Sequence, residues 1–239
     1  MRFTGAVLLA CVLSNCWAGQ LNFVHAAEVS ITGRCSGQTT NTVLIHGDIR
    51  NGDATAFTTA ADDVAKHTRC MLGTSPNAVP FIFVRLDSPG GNIIEALAIG
   101  REIRRRFMFT AVGQNMECNS ACVFVLMAGV HRRVGGKVGL HRPAFDPASF
   151  ADLSPTAARG RYNALVEQLR QYYVDEMGGS PEAFQIIMST PSGSIRYLSL
   201  TEMSALGIIG EDPAWAEYNE AQFIQQLRSR AVGCYLGLP

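Results

Sequence analysis

The segment VPFIFVRLDSPGGNIIEALAIGREIRRR, residues 79–106, limits the fold more than any other part of the chain. Residues 79–86 form an almost continuous apolar run, which is typical of a strand buried on both faces. Two glycines follow, and residues 92–106 then have helical periodicity, with Ile93, Leu97 and Ile103 on the inward face. The outward face of this helix is predicted to carry Arg101, Arg104 and Arg105. A buried strand that leads through a glycine turn into a helix is the unit from which parallel sheets are built.

The same alternation continues along the chain and predicts an α/β fold with a mainly parallel sheet. Further strands are predicted at 41–49, 107–112 and 137–141. Helical patterns occupy 53–71, 154–177, 180–190 and 199–209, so the last third of the chain is predicted to be mainly helical. Ser154-Pro155 and Ser180-Pro181 are typical helix openings, and Ser199 with Glu202 has the spacing of a capping box.

Composition excludes several classes of protein. The chain has 239 residues, 47% of them hydrophobic, with a formal net charge of zero. This is enough for one sizeable core, so one domain is the simplest organisation. Since no basic excess is available to neutralise phosphates, nucleic acid is not an expected partner.

The N-terminus has the pattern of a secretory leader. Arg2 is followed by a short apolar core, AVLLACVL (6–13), and by small residues that allow cleavage after Ala26 or Ala27. We therefore predict a signal peptide at 1–26, an α/β domain at 27–239, and export to a bacterial periplasm or the cell exterior. No other apolar run reaches the roughly 20 residues that a membrane span needs, so no span is expected in the mature chain.

Cysteine content agrees with export, because disulfides form in oxidising compartments. Five cysteines follow the leader, an odd number that leaves at least one unpaired or paired between chains. Cys118 and Cys122 are one helical turn apart, which roughly suits the Cα separation of a disulfide. Cys35 with Cys70 is the other candidate pair, and Cys234 is left over. No Cys/His spacing fits a zinc site, so no metal is expected.

Ser120 lies at the start of the apolar run ECNSACVFVLMAG (117–129) and has two interpretations. Serine is a common helix N-cap. It is also a nucleophile when a base and an oxyanion hole stand nearby. The glycine turn at Gly90 and Gly91, together with the N–H of Ala121, is a candidate oxyanion hole. Among candidate bases, His141 ends a predicted strand, and spacing alone does not choose between it and His46, His67 and His131.

A family resemblance selects one of these histidines. DSPGGNIIEALAI (87–99), CNSACVFVLMAG (118–129) and GLHRP (139–143), in this order, resemble the ClpP/crotonase superfamily, specifically ClpP-like serine peptidases. RYLSLTEMSALGII (196–209) resembles the closing segment of that family, so the likeness spans roughly residues 41–210. It implies a spiral of βα units, Ser120 as nucleophile and His141 as base. It also implies oxyanion-hole amides from the Gly90–Gly91 turn and from Ala121.

The sequence departs from the family pattern at the third catalytic residue. The position that matches the triad aspartate is Ile195, which cannot accept a hydrogen bond from an imidazole. Ser194, Asp146 and Asp152 are the alternative candidates to orient His141, or the site is a Ser–His dyad. A Ser–Lys pair, as in the signal-peptide-peptidase branch, would have to use Lys137.

The resemblance implies an exported serine hydrolase that acts on peptide bonds without a cofactor. One alternative is a catalytically inactive module that binds peptides or assembles. Another is an acyl-CoA enzyme of the crotonase type, against which the Ser–His pair argues. A homo-oligomer is also expected, with the 154–177 segment at the contact, because Tyr173 and Val174 extend the apolar stripe of Leu165, Leu169 and Tyr172 beyond one face.

Overall fold

The computed structural model of the chain describes residues 28–32, 41–68, 82–144, 147–217 and 220–221. Two sheets organise these residues, one of six strands and one of three. The predicted α/β class with a mainly parallel sheet is confirmed.

The larger sheet supplies the centre of the molecule. Its strands are β1 (Glu28–Thr32), β2 (Asn41–His46), β3 (Ile82–Asp87), β4 (Phe109–Val112), β6 (His131–Val134) and β9 (Gly210–Glu211). They lie side by side in the order β1-β2-β3-β4-β6-β9, and β2, β3, β4 and β6 are parallel to one another. β1 and β9 are antiparallel to their neighbours and close the two edges.

The smaller sheet stands at the carboxyl ends of these parallel strands, where α/β proteins place their sites. It consists of β5 (Glu117–Asn119), β7 (Lys137–Leu140) and β8 (Arg196–Tyr197) in the order β5-β7-β8. β5 follows β4 after four residues and β7 follows β6 after two, so each continues the course of a large-sheet strand. β5 and β7 are parallel, whereas β8 is antiparallel to β7.

Six α-helices accompany the sheets in the described part of the chain. They are α1 (Asp53–Thr68), α2 (Ile93–Arg105), α3 (Ala121–Met127), α4 (Pro155–Arg170), α5 (Pro181–Ser189) and α6 (Leu200–Ala205). The predicted Ser154 and Ser180 caps and the Ser199–Glu202 capping box are all present. α3 is buried along its whole length, because it carries apolar side chains on every face.

The segment after α4 holds the helical layer to α3. The helix continues from α4 as a π-helix over Gln171–Glu176, which turns Tyr172 and Tyr173 into the core. The Tyr172 hydroxyl donates a hydrogen bond to the Phe124 carbonyl at 2.9 Å, and the Tyr173 ring packs edge-on against the Phe124 ring. Burial raises the pKa of both tyrosines, so the two phenols stay neutral.

Several details differ from the expectation. Arg104 was predicted to face outward, but it is half-buried and forms an ion pair with Asp212 at 3.0 Å. The charge is accepted in the interior because that carboxylate compensates it. The short strands β1, β5, β6, β8 and β9 were not predicted, since runs of two to five residues give little periodic signal.

Because α2 packs closely on the Tyr172 ring, one methyl group added at this contact should lower the stability of the protein. A Cβ added at Gly100 would overlap the Tyr172 hydroxyl and lie 2.9 Å from its Cζ atom. We expect Gly100→Ala to lower the free energy of unfolding by about 1–3 kcal/mol, the usual cost of overpacking a core. Urea denaturation measures this change.

Gly160→Ala is the matched control, because Gly160 also lies in a helix but has nothing within 4 Å of the added Cβ. It should be neutral or stabilise the protein by up to about 1 kcal/mol. Equal effects of the two substitutions would contradict the Gly100–Tyr172 contact.

Candidate active site

Ser120 occupies a sharp turn between a strand and a helix. β5 ends at Asn119 and α3 begins at Ala121, so Ser120 is the single connecting residue. Because α3 is buried along its whole length, this junction is held rigidly. The Ser120 side chain itself is only partly buried, which leaves its hydroxyl accessible.

The backbone of Ser120 is strained. Its φ is 55° and its ψ is −123°, a conformation that glycine adopts readily and serine rarely does. Such conformations cost on the order of 1–3 kcal/mol and cluster at functional sites. The same strand-turn-helix strain exposes the nucleophile in the elbow of α/β-hydrolases.

The hydroxyl of Ser120 does not cap its helix. Ser120 holds the N-cap position of α3 but makes no side-chain capping hydrogen bond. By contrast, Asn92, Ser154, Ser180 and Ser199 all accept hydrogen bonds from the first-turn N–H groups of their helices. The structure therefore gives the Ser120 hydroxyl no capping role.

A disulfide brackets Ser120. Cys118 on β5 and Cys122 on α3 are bonded, with 5.2 Å between their Cα atoms, and both are fully buried. This confirms one of the two predicted pairs. Cys35, Cys70 and Cys234 lie outside the described residues.

The glycine turn after β3 packs directly on Ser120. A Cβ at Gly90 would lie 2.7 Å from the Ser120 Cβ and 3.0 Å from the Ala121 nitrogen, so only glycine fits. Gly90 and Gly91 have φ values of 108° and 133°, which side chains disfavour. The turn and the serine therefore form one surface.

Three backbone N–H groups on this surface were candidate oxyanion donors, and two of them have no acceptor among the described residues. The Gly90 N–H donates to the Ser88 hydroxyl oxygen at 3.1 Å and is therefore occupied, which corrects its inclusion among the oxyanion donors. Gly91 and Ala121 N–H groups donate to no acceptor among the described residues. Of the three predicted amides, Gly91 and Ala121 remain available to a developing negative charge.

The small sheet brings the backbone that leads into His141 close to Ser120. Asn119 pairs with Gly139 in the parallel register of β5 and β7, and the Ser120 N–H donates to the Gly139 carbonyl at 3.0 Å. His141 follows directly after β7. Among the described residues, no hydrogen bond joins the His141 ring to the Ser120 hydroxyl.

The His141 ring is oriented by a backbone carbonyl. Its Nδ1 lies 2.9 Å from the carbonyl oxygen of Arg142. Because a carbonyl oxygen only accepts, Nδ1 carries the proton and Nε2 keeps its lone pair in the neutral ring. This is the tautomer that a general base needs.

The position of a triad acid is filled by an apolar side chain. β8 runs antiparallel to β7 with Leu140 opposite Arg196, so the register places Ile195 opposite His141. Ile195 is 46% exposed, and its Cγ2 would lie 2.5 Å from a Cβ at Gly139. The register therefore places no carboxylate at this position.

Of the three proposed substitutes for the acid, Ser194 and Asp152 form no hydrogen bond with His141. Ser194 donates its backbone N–H to the Pro191 carbonyl, Asp152 is exposed, and Asp146 lies outside the described residues. Hydrogen bonds from the Ser199 backbone N–H and hydroxyl and from Arg196 lower the pKa of Glu202 to about 2. Glu202, the acid of the capping box, is therefore occupied elsewhere.

Three of the rival bases have other contacts. Lys137 begins β7 opposite Glu117, at the far end of the strand pair, and its Nζ lies 5.7 Å from the centre of the Tyr197 ring. His46 Nδ1 lies 3.0 Å from a carboxylate oxygen of Asp87, and His131 Nε2 accepts a hydrogen bond from Arg133. The geometry does not support a Ser–Lys pair.

Sequence reasoning missed two groups at this site. One is the Arg142 carbonyl, which no sequence pattern announces. The other is Asn119, whose side chain is 2% exposed and whose Oδ1 has no hydrogen-bond partner. A Cβ at Gly139 would overlap Asn119 Oδ1, so the amide lies against β7 beneath the site. A polar residue between Cys118 and Ser120 was its only signal.

Candidate metal sites and membrane-spanning helices are both absent from the described ranges. His, Cys, Asp and Glu side chains there form no group of three that could hold a metal ion. None of the helices there combines the length and apolarity that crossing a bilayer requires.

No protein-family model matches the sequence. No curated protein matches it either. Among solved structures, a ClpP1 point mutant from Listeria monocytogenes aligns with a TM-score of 0.49 and 18% sequence identity. The alignment covers 72% of this chain and 92% of that chain, and the likeness concerns the course of the chain alone.

The disulfide around Ser120 predicts a redox-dependent stability. Replacing Cys118 and Cys122 together by alanine removes a short covalent loop and should lower the free energy of unfolding by about 2 kcal/mol. Urea denaturation of oxidised wild type and variant measures the difference. Under reducing conditions the difference should largely vanish, and a difference of the same size with reductant would contradict a bonded pair.

Proposed function

We propose that this chain is an exported serine peptidase in which Ser120 is the nucleophile and His141 is the general base. The observation that carries the proposal is the strained backbone of Ser120, whose hydroxyl makes no capping hydrogen bond and which packs directly against the glycine turn. The strained conformation of Ser120 is not needed to cap α3, which favours a role in catalysis.

The geometry suits acyl transfer. His141 Nε2 would accept the Ser120 proton as Oγ attacks the carbonyl carbon of a peptide bond. The Gly91 and Ala121 N–H groups would donate to the resulting oxyanion. The protonated imidazole would then give its proton to the leaving amine, and water activated by the same base would release the acid from Ser120.

The Arg142 carbonyl would replace the usual carboxylate in one of its two roles. It holds the His141 tautomer, as an aspartate does. A neutral carbonyl stabilises an imidazolium less than a carboxylate does, so we expect slower turnover than in a full triad.

The second candidate is an inactive peptide-binding or assembly module. Ile195 favours it, because an apolar side chain stands where the register would present an acid to His141. The two candidates share the fold and differ in whether Ser120 is activated.

Export is part of the proposal. The leader pattern at 1–26 supports it, and so does a buried disulfide, which is uncommon in reducing compartments. Cell fractionation with N-terminal sequencing of the mature protein tests it, with cleavage expected after Ala26 or Ala27.

We also propose that the protein forms a homo-oligomer. The apolar surface available for the contact is smaller than the stripe predicted from the sequence. Tyr172 and Tyr173 are buried within the chain, so the core accounts for them and they leave no excess for a partner. Leu169 is the one buried residue of α4, whereas Leu165 and Val166 are only partly buried and would contact a partner. Light scattering at micromolar concentration distinguishes an oligomer from a monomer.

Replacing the nucleophile tests the proposed chemistry. Ser120→Ala should abolish covalent labelling by a fluorophosphonate probe, since only an activated serine reacts. Alanine should also be tolerated structurally, because the hydroxyl makes no capping bond. Ser154→Ala, which removes a helix cap, is the control and should keep full labelling. Equal labelling of Ser120→Ala and wild type would locate the nucleophile elsewhere.

Restoring an acid separates the two candidates. Ile195→Asp places a carboxylate beside His141 and should raise the rate of probe labelling roughly tenfold or more if Ser120 is activated by His141. Ile195→Asn is the matched control and should give no such rise, because it adds polarity without charge. An inactive module would show no labelling of wild type, and an equal rise with asparagine would contradict the role of charge.

A further inference from the structure

A groove opens beside His141. It lies between the residues that follow His141 and the first half of α4, with a volume of about 660 Å³. Its apolar and aromatic walls come from Pro143, Phe150, Ala158 and Tyr162. We name it the Arg142–Arg159 groove after the two arginines that line it.

These two arginines lack partners. Neither guanidinium forms a hydrogen bond or ion pair with any described residue, and both side chains are exposed. Other arginines of the chain are paired, among them Arg101 with Glu176, Arg170 with Glu167 and Arg196 with Glu202. Among the residues that the structure describes, none that lines the groove is an aspartate or glutamate, so no described carboxylate there compensates the two positive charges.

The groove is fixed relative to the candidate base. The Arg142 N–H donates to the Thr190 carbonyl at 2.9 Å, and the Arg142 carbonyl accepts from His141 Nδ1. The residue that orients His141 thus also supplies a guanidinium to the groove. A peptide bound across Ser120 and His141 would therefore pass next to it.

We infer that the Arg142–Arg159 groove binds a carboxylate of the substrate close to the scissile bond, an inference that rests on the proposed peptidase function. Guanidinium groups bind carboxylates with paired hydrogen bonds, and two of them on opposite walls can hold one carboxylate from both sides. The aromatic and apolar walls contact the aliphatic part of the same residue. The substrate class is an acidic peptide, with the carboxylate on a glutamate or aspartate side chain or at the chain end.

Binding to the Ser120→Ala protein tests the inference without requiring turnover. Four fluorescent peptides of one sequence are compared by anisotropy: glutamate or glutamine at the central position, each with a free or an amidated C-terminus. Tighter binding of the glutamate peptides identifies the side chain as the source. Tighter binding of the free acids identifies the chain end.

Arg142→Gln and Arg159→Gln assign the preference to the groove. Each should weaken binding of the preferred acidic peptide roughly two- to fivefold and leave the neutral peptide unchanged, as expected for one exposed ion pair. Arg142→Gln keeps the backbone carbonyl that orients His141. Arg133→Gln, which replaces an exposed arginine of β6, is the control and should leave the binding of both peptides unchanged. The preference should also shrink at high salt.

The outcomes separate this inference from the proposed function. Equal affinity for acidic and neutral peptides, no detectable binding of either, or a preference that survives both arginine substitutions would overturn the inference. Probe labelling of Ser120 without any charge preference would support the peptidase proposal and contradict the carboxylate-binding role of the groove. A charge preference in a protein that no probe labels would support the groove in an inactive peptide-binding module.

Discussion

The backbone pairing of the short strand Glu117–Asn119 is the constraint on which the site depends. On one side, the Ser88 N–H donates to the Glu117 carbonyl at 2.7 Å, and the Asn119 N–H donates to the Ser88 carbonyl at 3.0 Å. On the other side, β7 pairs with the strand through Gly139. The disulfide from Cys118 ties the same strand to α3. Ser120 can keep its strained conformation because the residues around it are fixed independently.

This pairing brings together three segments that are far apart in sequence. The glycine turn comes with Ser88, the Ala121 N–H comes with α3, and His141 comes with β7. Each segment contributes mainly backbone groups: two amides as candidate oxyanion donors and the Arg142 carbonyl as the orienter of the imidazole. A site built from backbone groups depends on chain geometry more than on side-chain identity. The proposed Ser120–His141 pair would therefore keep its arrangement with Ile195 opposite His141.

The helical layer behind the site limits how far these parts can move. The Tyr172 hydroxyl bonds to the Phe124 carbonyl of α3, and the Tyr172 ring fills the space that Gly100 leaves on α2. Arg132 donates hydrogen bonds to the carbonyls of Gly129, Gly207 and Ile208, which joins the end of α3 to the segment after α6. Burial lowers the pKa of Arg132, and the nearby Asp212 opposes that shift. α3 is thereby packed from both ends.

The sequence by itself determined the α/β class, the long helices and Ser120, Gly91 and Ala121 as candidates, because apolar periodicity and the glycine turn are local signals. His141 was selected among the histidines only by the family resemblance. Cys118–Cys122 was one of two candidate disulfides. Only the tertiary structure decided that Gly90 N–H is occupied, that Arg142 orients His141 through its carbonyl, and that Tyr173 belongs to the core. The first two facts are hydrogen bonds that involve backbone atoms of residues one or two positions apart, and the third depends on the packing of Tyr173 against Phe124 of α3. Side-chain patterns do not encode such contacts, because the groups involved are backbone atoms or surfaces completed by distant residues.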